Sequence, residues 1–444
     1  LDMYSAVEML NFGGSPKDLN EIFGKKPENY LDVAYDYIAA GFYHEAINVL
    51  EMSQHEYPLY DYVKAYCLHK LGSDGAALQT LYSAEARDTG YCFPARLDDI
   101  PVLEYAISAN PNGANSCYYL GCLYYDRFAY EKSVILWEKA AKLNPKHTKV
   151  FRNLALAYFD KKEDFLSAKA CMEIALVNKP DDSRLLLEYQ QILKNMNCSP
   201  RVRLNIYEKH NDLMLMRDDC VLDKITLKCM VEEYKEAIEI AKSRHFHIYE
   251  GGEGKLTKLH AWMHVLYGNE LRRQGKTAEA EKAYKDGINM PASYGEAKTF
   301  FNQEAHIYYY LGELTGNTSY YEEASVYKAA VSELSLFRAM ALRKLHNFRD
   351  ALNVLKEMID AADNLIKNCD LRTYYGVGSP SPMPCESDIV KMNLTNGYIL
   401  KAYALLGLGK FNLADSYIKK AEEIDTYDFR IIAYHKISSD ISSL

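Results

Sequence analysis

His260 and His264 stand four apart, a spacing that puts two imidazoles on one face of a helix, where they could share a metal ion. The glutamate of a His-Glu-x-x-His site is absent, because Ala261, Trp262 and Met263 lie between them. His245 and His247 flank Phe246 just ahead of a glycine-rich string, Tyr249-Glu250-Gly251-Gly252-Glu253-Gly254-Lys255. That string is not a nucleotide loop: Gly-x4-Gly-Lys-Ser/Thr is missing, and Leu256 follows Lys255. No Gly-x-Ser-x-Gly elbow occurs either. With 61 Asp and Glu residues, a chance pair of carboxylates says nothing. The chain reads as non-enzymatic, with no metal site and no cofactor.

The glycine string has a counterpart. Gly252-Glu253-Gly254-Lys255 is echoed by Gly295-Glu296-Ala297-Lys298, 43 residues on. Glycine permits positive φ, and a carboxylate complements the positive end of a following helix, so two helix caps are the plain reading. The sharper reading brings Glu250, Glu253, Lys255, Glu296 and Lys298 together as an acidic and basic lip on one edge of the fold. Tyr249 and Tyr294 would then serve as apolar platforms for a hydroxyl-rich ligand or a neighbouring domain.

The elements that must position these loops are set by a 34-residue beat. Leu120-Gly121, Tyr124, Trp137, Ala140 and Pro145 are echoed by Leu154-Ala155, Tyr158, Ala168, Ala175 and Pro180. The beat runs outward through Ala34, Gly41 and Ala46, Ala65, Gly72 and Ala77, Gly268, Gly275 and Ala280, and Ala402, Gly409 and Ala414. Small residues mark helix crossings, aromatics pack one turn away, and proline closes the unit. This pattern resembles the tetratricopeptide repeat. The resemblance implies an all-α fold, an α-solenoid of antiparallel helix hairpins wound as a right-handed superhelix. Roughly nine or ten hairpins would account for the length. Residues 1–26 read as an N-terminal segment, 27–197 as a first set of repeats and 198–444 as a second. The period is broken by one extra residue at Glu163-Asp164, by an inserted loop from Tyr91 to Asp99, and by a long loop at 369–388.

Tyrosine is over-used, with 38 residues, often doubled. Packing explains most of them, yet adjacent helical residues point about 100° apart, so a doubled pair cannot serve one face. In tetratricopeptide arrays the first helix of each hairpin lines the concave surface. Carried onto this chain by position, that surface comprises Tyr62, Tyr66, Tyr118, Tyr125, Arg152, Trp262, Arg272 and Arg273. An aromatic and Arg-lined concavity suits an extended peptide, a partner domain or a sugar.

A narrower resemblance spans roughly residues 90–315. Arg244 to Lys255, Cys92-Phe93-Pro94-Ala95-Arg96-Leu97, Leu136-Trp137-Glu138, Arg152-Asn153-Leu154 and Arg217-Asp218-Asp219 are similar to segments of large bacterial proteins. Those proteins carry an N-terminal β-sandwich region ahead of a repeat array. The chain departs from them at Ile248-Tyr249, where they have Pro-Trp, and at Ala297, where they have Gly. The resemblance implies a sugar-linked context and an N-terminal domain on the same longer chain, which the start at Leu1 also suggests. It transfers no catalytic residue.

Composition narrows the partners. A net charge of −9, with basic residues interleaved among acidic ones, argues against nucleic acid. No stretch of about 18 apolar residues exists, so no membrane span is expected. Ten scattered cysteines without a Cys-x-x-Cys pair read as reduced core residues and point to the cytoplasm. The expected role is a protein-interaction or scaffold module binding a peptide or partner domain in its groove. The alternative is the accessory half of a carbohydrate-active protein.

Overall fold

The structure is a computed structural model that describes residues 3–14, 21–24, 26–247, 252–296, 304–326, 330–371 and 388–442. Among these residues no strand forms and no helix is long and apolar enough to cross a membrane. The protein is an all-α assembly of helical hairpins, divided into two compact units, Leu1–Pro180 and Asp181–Leu444. The division falls one helix before residue 197.

Unit 1 runs α1 (Met3–Asn11), α2 (Pro27–Ala39), α3 (Tyr43–Met52), α4 (Pro58–Lys70), α5 (Asp74–Ala86), α6 (Asp99–Ala109), α7 (Ala114–Asp126), α8 (Tyr130–Leu143), α9 (Thr148–Lys162) and α10 (Phe165–Asn178). Unit 2 begins with α11 (Ser183–Asn195), α12 (Pro200–Lys209), α13 (Asn211–Leu215), α14 (Asp218–Met230) and α15 (Tyr234–Ser243). It continues with α16 (Lys255–Arg273), α17 (Thr277–Ile288), α18 (Ala305–Thr315), α19 (Thr318–Val326) and α20 (Ser335–Lys344). It ends with α21 (Phe348–Lys367), α22 (Ile389–Gly407), α23 (Phe411–Glu422) and α24 (Phe429–Ser442).

The hairpins close where the small residues predict. A Cβ added at Gly121 would stand 2.5 Å from the indole nitrogen of Trp137, so only glycine lets α7 and α8 cross at this distance. Trp137 in turn donates to the Tyr118 carbonyl at 3.1 Å, and Ser133 donates to the Gly121 carbonyl at 2.7 Å. The same aromatic-over-glycine crossing recurs with Tyr284 on Gly268 and Tyr321 on Gly312. Ala155, the next beat, is fully buried in α9.

Unit 2 adds a feature that periodicity alone does not specify. Its last helix, α24, packs on α22 and α23 and also reaches α14 near the start of the unit. Lys436 of α24 pairs with Glu232 in the α14–α15 turn, and Asp440 pairs with Arg272 of α16 at 3.1 Å. The last helix is thereby tied both to the end of the unit and to its beginning.

Candidate partner-binding surfaces

The inserted segment of unit 1 carries exposed apolar side chains beside buried and paired groups. Tyr91 sits in a turn with a positive φ of 52°, and from Cys92 to Ala95 burial alternates along a segment without regular secondary structure. Tyr91 and Phe93 face out, at 94% and 67% exposure, while Cys92 and Pro94 face in. Phe93 and Ala95 are exposed two residues apart, and Tyr91 is exposed on the turn just before them. Leu97, 65% exposed, follows two residues later.

The inner side is pinned at several points. Asp99 is wholly buried and accepts the amides of Ala95 and Arg96 at 3.0 and 2.9 Å, together with the Tyr35 hydroxyl. Arg96 pairs with Asp32 and donates to the Glu28 carbonyl at 3.0 Å. Arg127 donates to the Ala95 carbonyl at 2.7 Å. Burial pushes the Cys92 thiol up to about 11, as expected of a core residue and not of a nucleophile. The result is a comb of large apolar side chains on a segment anchored at Ala95, Arg96 and Asp99.

The four tyrosines assigned to a groove by position all belong to unit 1. Tyr62 is buried and donates to Glu85 at 2.8 Å, and Glu85 accepts the amides of Asn115 and Ser116 at the start of α7. Tyr62 thus supports a helix cap and offers no surface. Tyr118 is also buried, with its ring 4.7 Å from that of His147. Tyr66 and Tyr125 are half-buried, the first edge-on to Tyr105 at 6.0 Å and the second 5.3 Å from Trp137. Arg152 is half-exposed on α9. A polar cleft of about 240 Å³ beside Arg87 includes Glu56, Asp61 and Lys64 in its lining. Its charges already satisfy one another through Arg87–Asp61, Arg87–Glu56 and Lys64–Asp61 pairs.

In unit 2 the expected concave lining is interior. Trp262 is 1% exposed, its ring 4.7 Å from His306, 6.0 Å from Phe337 and 6.2 Å from Phe429 of α24. Arg272 is held by Asp440 and lies over the Tyr310 ring at 5.5 Å, whereas Arg273 is exposed. Phe429 and Asp440 of α24, with His306 and Phe337, take up the contacts these side chains would offer a ligand.

The two glycine loops do meet. The Gly254 amide donates to the Glu296 carboxylate at 3.0 Å, and the Phe246 amide donates to the Ser293 carbonyl at 2.8 Å. Glu296 therefore caps the N-terminus of α16 from a neighbouring loop, where its charge complements the helix dipole. Glu253 and Lys255 are exposed beside this cap. Glu250 and Lys298, with Tyr249 and Ala297, lie outside the described residues. Tyr294 is not an exposed platform. It is 1% exposed, stands edge-on to Phe246, and its hydroxyl meets His260 Nδ1 at 2.9 Å.

His264 Nδ1 lies 2.9 Å from the Ala283 carbonyl, so each imidazole of the i,i+4 pair has its own partner. Burial holds the two rings down at about 4 for His260 and about 3 for His264. Among the described residues no group of three or more His, Cys, Asp or Glu is placed to hold a metal ion.

No protein-family model matches the chain. Among solved structures it is similar to MamA (MSR-1), at 21% identity over 42% of this chain and 95% of that one, with a TM-score of 0.25. A tetratricopeptide repeat protein from Parabacteroides merdae aligns at 16% identity over 66% and 100%, with a TM-score of 0.27. The Naa15/Naa10 assembly bound to HypK-THB aligns at 12% identity over 94% and 67%, with a TM-score of 0.35. With every score below 0.5, the fold rests on the chain's own helices, and no residue role carries over.

Proposed function

We propose that this chain is a non-catalytic protein-interaction module whose unit 1 presents the Tyr91–Phe93–Leu97 comb to a partner protein or peptide. The observation that carries this reading is the combination of exposure and fixation. Three large apolar side chains stand in water on a backbone anchored by Asp99, Arg96 and Arg127. Exposed apolar surface rimmed by polar groups favours association, and aromatic residues are the commonest anchors of interfaces. A pre-ordered segment also loses less conformational entropy on binding than a mobile one.

The packed interior of unit 2 supports the same reading, because Trp262 and Arg272 are committed to α24. The partner classes that suit the comb are a separate protein, a peptide, or a domain on the same longer chain. The last is what the resemblance to β-sandwich-bearing bacterial proteins implies. A photoreactive phenylalanine analogue placed at Phe93, with Tyr82 as an exposed aromatic control, tests the idea in cells. Discrete adducts at 93 and none at 82 are expected; the same pattern at both positions would contradict it.

A further inference from the structure

His245 and His247 stand either side of Phe246, on the segment that leaves the end of α15. Burial alternates along it: both histidines are exposed, His247 by 83% of its side chain, while Phe246 is buried. The two imidazoles nevertheless lie side by side, with ring centres 5.7 Å apart and one ring edge-on to the other.

The backbone beneath them is held at each residue. Arg244 donates to the Leu215 carbonyl at 3.0 Å and pairs with Asp218 at the start of α14. The Phe246 amide donates to the Ser293 carbonyl at 2.8 Å, and its ring stands edge-on to Tyr294. The His247 amide donates to Asp218 Oδ2 at 2.8 Å. That same oxygen lies 3.3 Å from His247 Nδ1. An ionised carboxylate can only accept, so Nδ1 carries the proton and Nε2 of the neutral ring keeps its lone pair. A carboxylate behind Nδ1 is the arrangement that orients a histidine ligand and fixes its tautomer for a metal ion on Nε2.

The spacing fits one shared ion. Two imidazoles bound to the same metal through bonds of about 2.0–2.1 Å have ring centres roughly 5–6.5 Å apart, a range that includes the separation here. We propose that His245 and His247 chelate a single divalent transition-metal ion, copper(II), nickel(II) or zinc(II), in unit 2. Imidazole nitrogen suits these ions, whereas magnesium and calcium take oxygen ligands. Among the three, copper should bind tightest. This departs from the expectation of a chain without a metal site. The His260–His264 pair stays out of it, because both of those rings are buried and each has its own partner. Two ligands from a three-residue segment leave the ion's other positions to water, so the ion exchanges and does not hold the fold together.

Calorimetric titration of the full chain with Cu²⁺, with pulsed EPR of the one-equivalent complex, tests this separately from the Tyr91–Leu97 surface of unit 1. The wild type should bind copper through two imidazoles, and Mg²⁺ should give no binding heat. His245→Gln and His247→Gln should each leave one imidazole in the EPR signal and weaken binding about tenfold or more. Both side chains are exposed, so neither change should move the melting temperature of the metal-free chain. Asp218→Asn should keep both imidazoles but weaken binding by about 10–100-fold, because the ring of His247 loses its orienting acceptor. His44→Gln, at an exposed histidine of α3, should change nothing. Copper held by one imidazole or none in the wild type would overturn the proposal. So would an affinity and a signal indifferent to His245→Gln and His247→Gln, or a folded Asp218→Asn chain that binds as the wild type does.

Discussion

The Gly254 amide donates to the Glu296 carboxylate at 3.0 Å, across 42 residues of chain, so the start of α16 is capped by a side chain from another loop. Glu296→Ala removes that acceptor. The expected cost is about 1 kcal/mol, read as a lower denaturation midpoint. Glu253→Ala, at an exposed position, should leave the midpoint where it is. Equal losses from the two changes would show that the loop pair is held in some other way.

Gly121→Ala tests the hairpin register. The new Cβ would sit 2.5 Å from Trp137 Nε1, which is itself fixed by its bond to Tyr118. The indole must move or the helices must part, costing roughly 1–3 kcal/mol. An unchanged urea midpoint would mean that α7 and α8 do not cross at this residue.

Closure of unit 2 has an optical signature. The chain has two tryptophans, so Trp137→Phe leaves Trp262 as the sole reporter. Breaking the Arg272–Asp440 pair with Arg272→Ala should cost about 2 kcal/mol, since it strips a mostly buried carboxylate of a charged donor. In the single-tryptophan background, Phe429→Ala should red-shift the emission as water gains access to the indole. Emission that is already red-shifted before the change would show an open inner face.

Unit 2 should lose stability in mild acid. His260, His264 and His306 are held by burial below the ordinary 6.5, at about 4, 3 and 3. Both folded and unfolded chains carry them neutral above 6.5. As pH falls from 6.5 towards 4, the unfolded chain binds the protons first, and stability drops by up to roughly 1.4 kcal/mol per pH unit for each histidine. Replacing His264 and His306 by Gln should flatten the slope of melting temperature against pH in that window, whatever it does to the absolute value. A slope unchanged by the double substitution would place the acid sensitivity elsewhere.

The hairpins are legible in the sequence because a crossing demands a small residue locally, as Gly121, Gly268 and Gly312 show. The direction in which Trp262 and Arg272 face is not, because it depends on rotations summed over many repeats until α24 meets α14. Meeting of the glycine loops follows from their shared place between hairpins, but the burial of Tyr294 depends on Phe246 and His260, which no local pattern links to it. The comb was missed for a different reason. Its in–out alternation from Cys92 to Ala95 is too short to register as a period, and only Asp99 and Arg96 reveal that the segment is fixed. The one signal available was a run of large apolar residues within an insertion.

The most direct measurement compares partner recovery by the wild-type chain with recovery by Tyr91→Ser/Phe93→Ser, using matched extracts and quantitative mass spectrometry. Both side chains point into water, so the variant should melt with the wild type. The account predicts that a defined set of partners is lost from the variant while Tyr82→Ser retains it. An identical partner set for the variant and the wild type would contradict it.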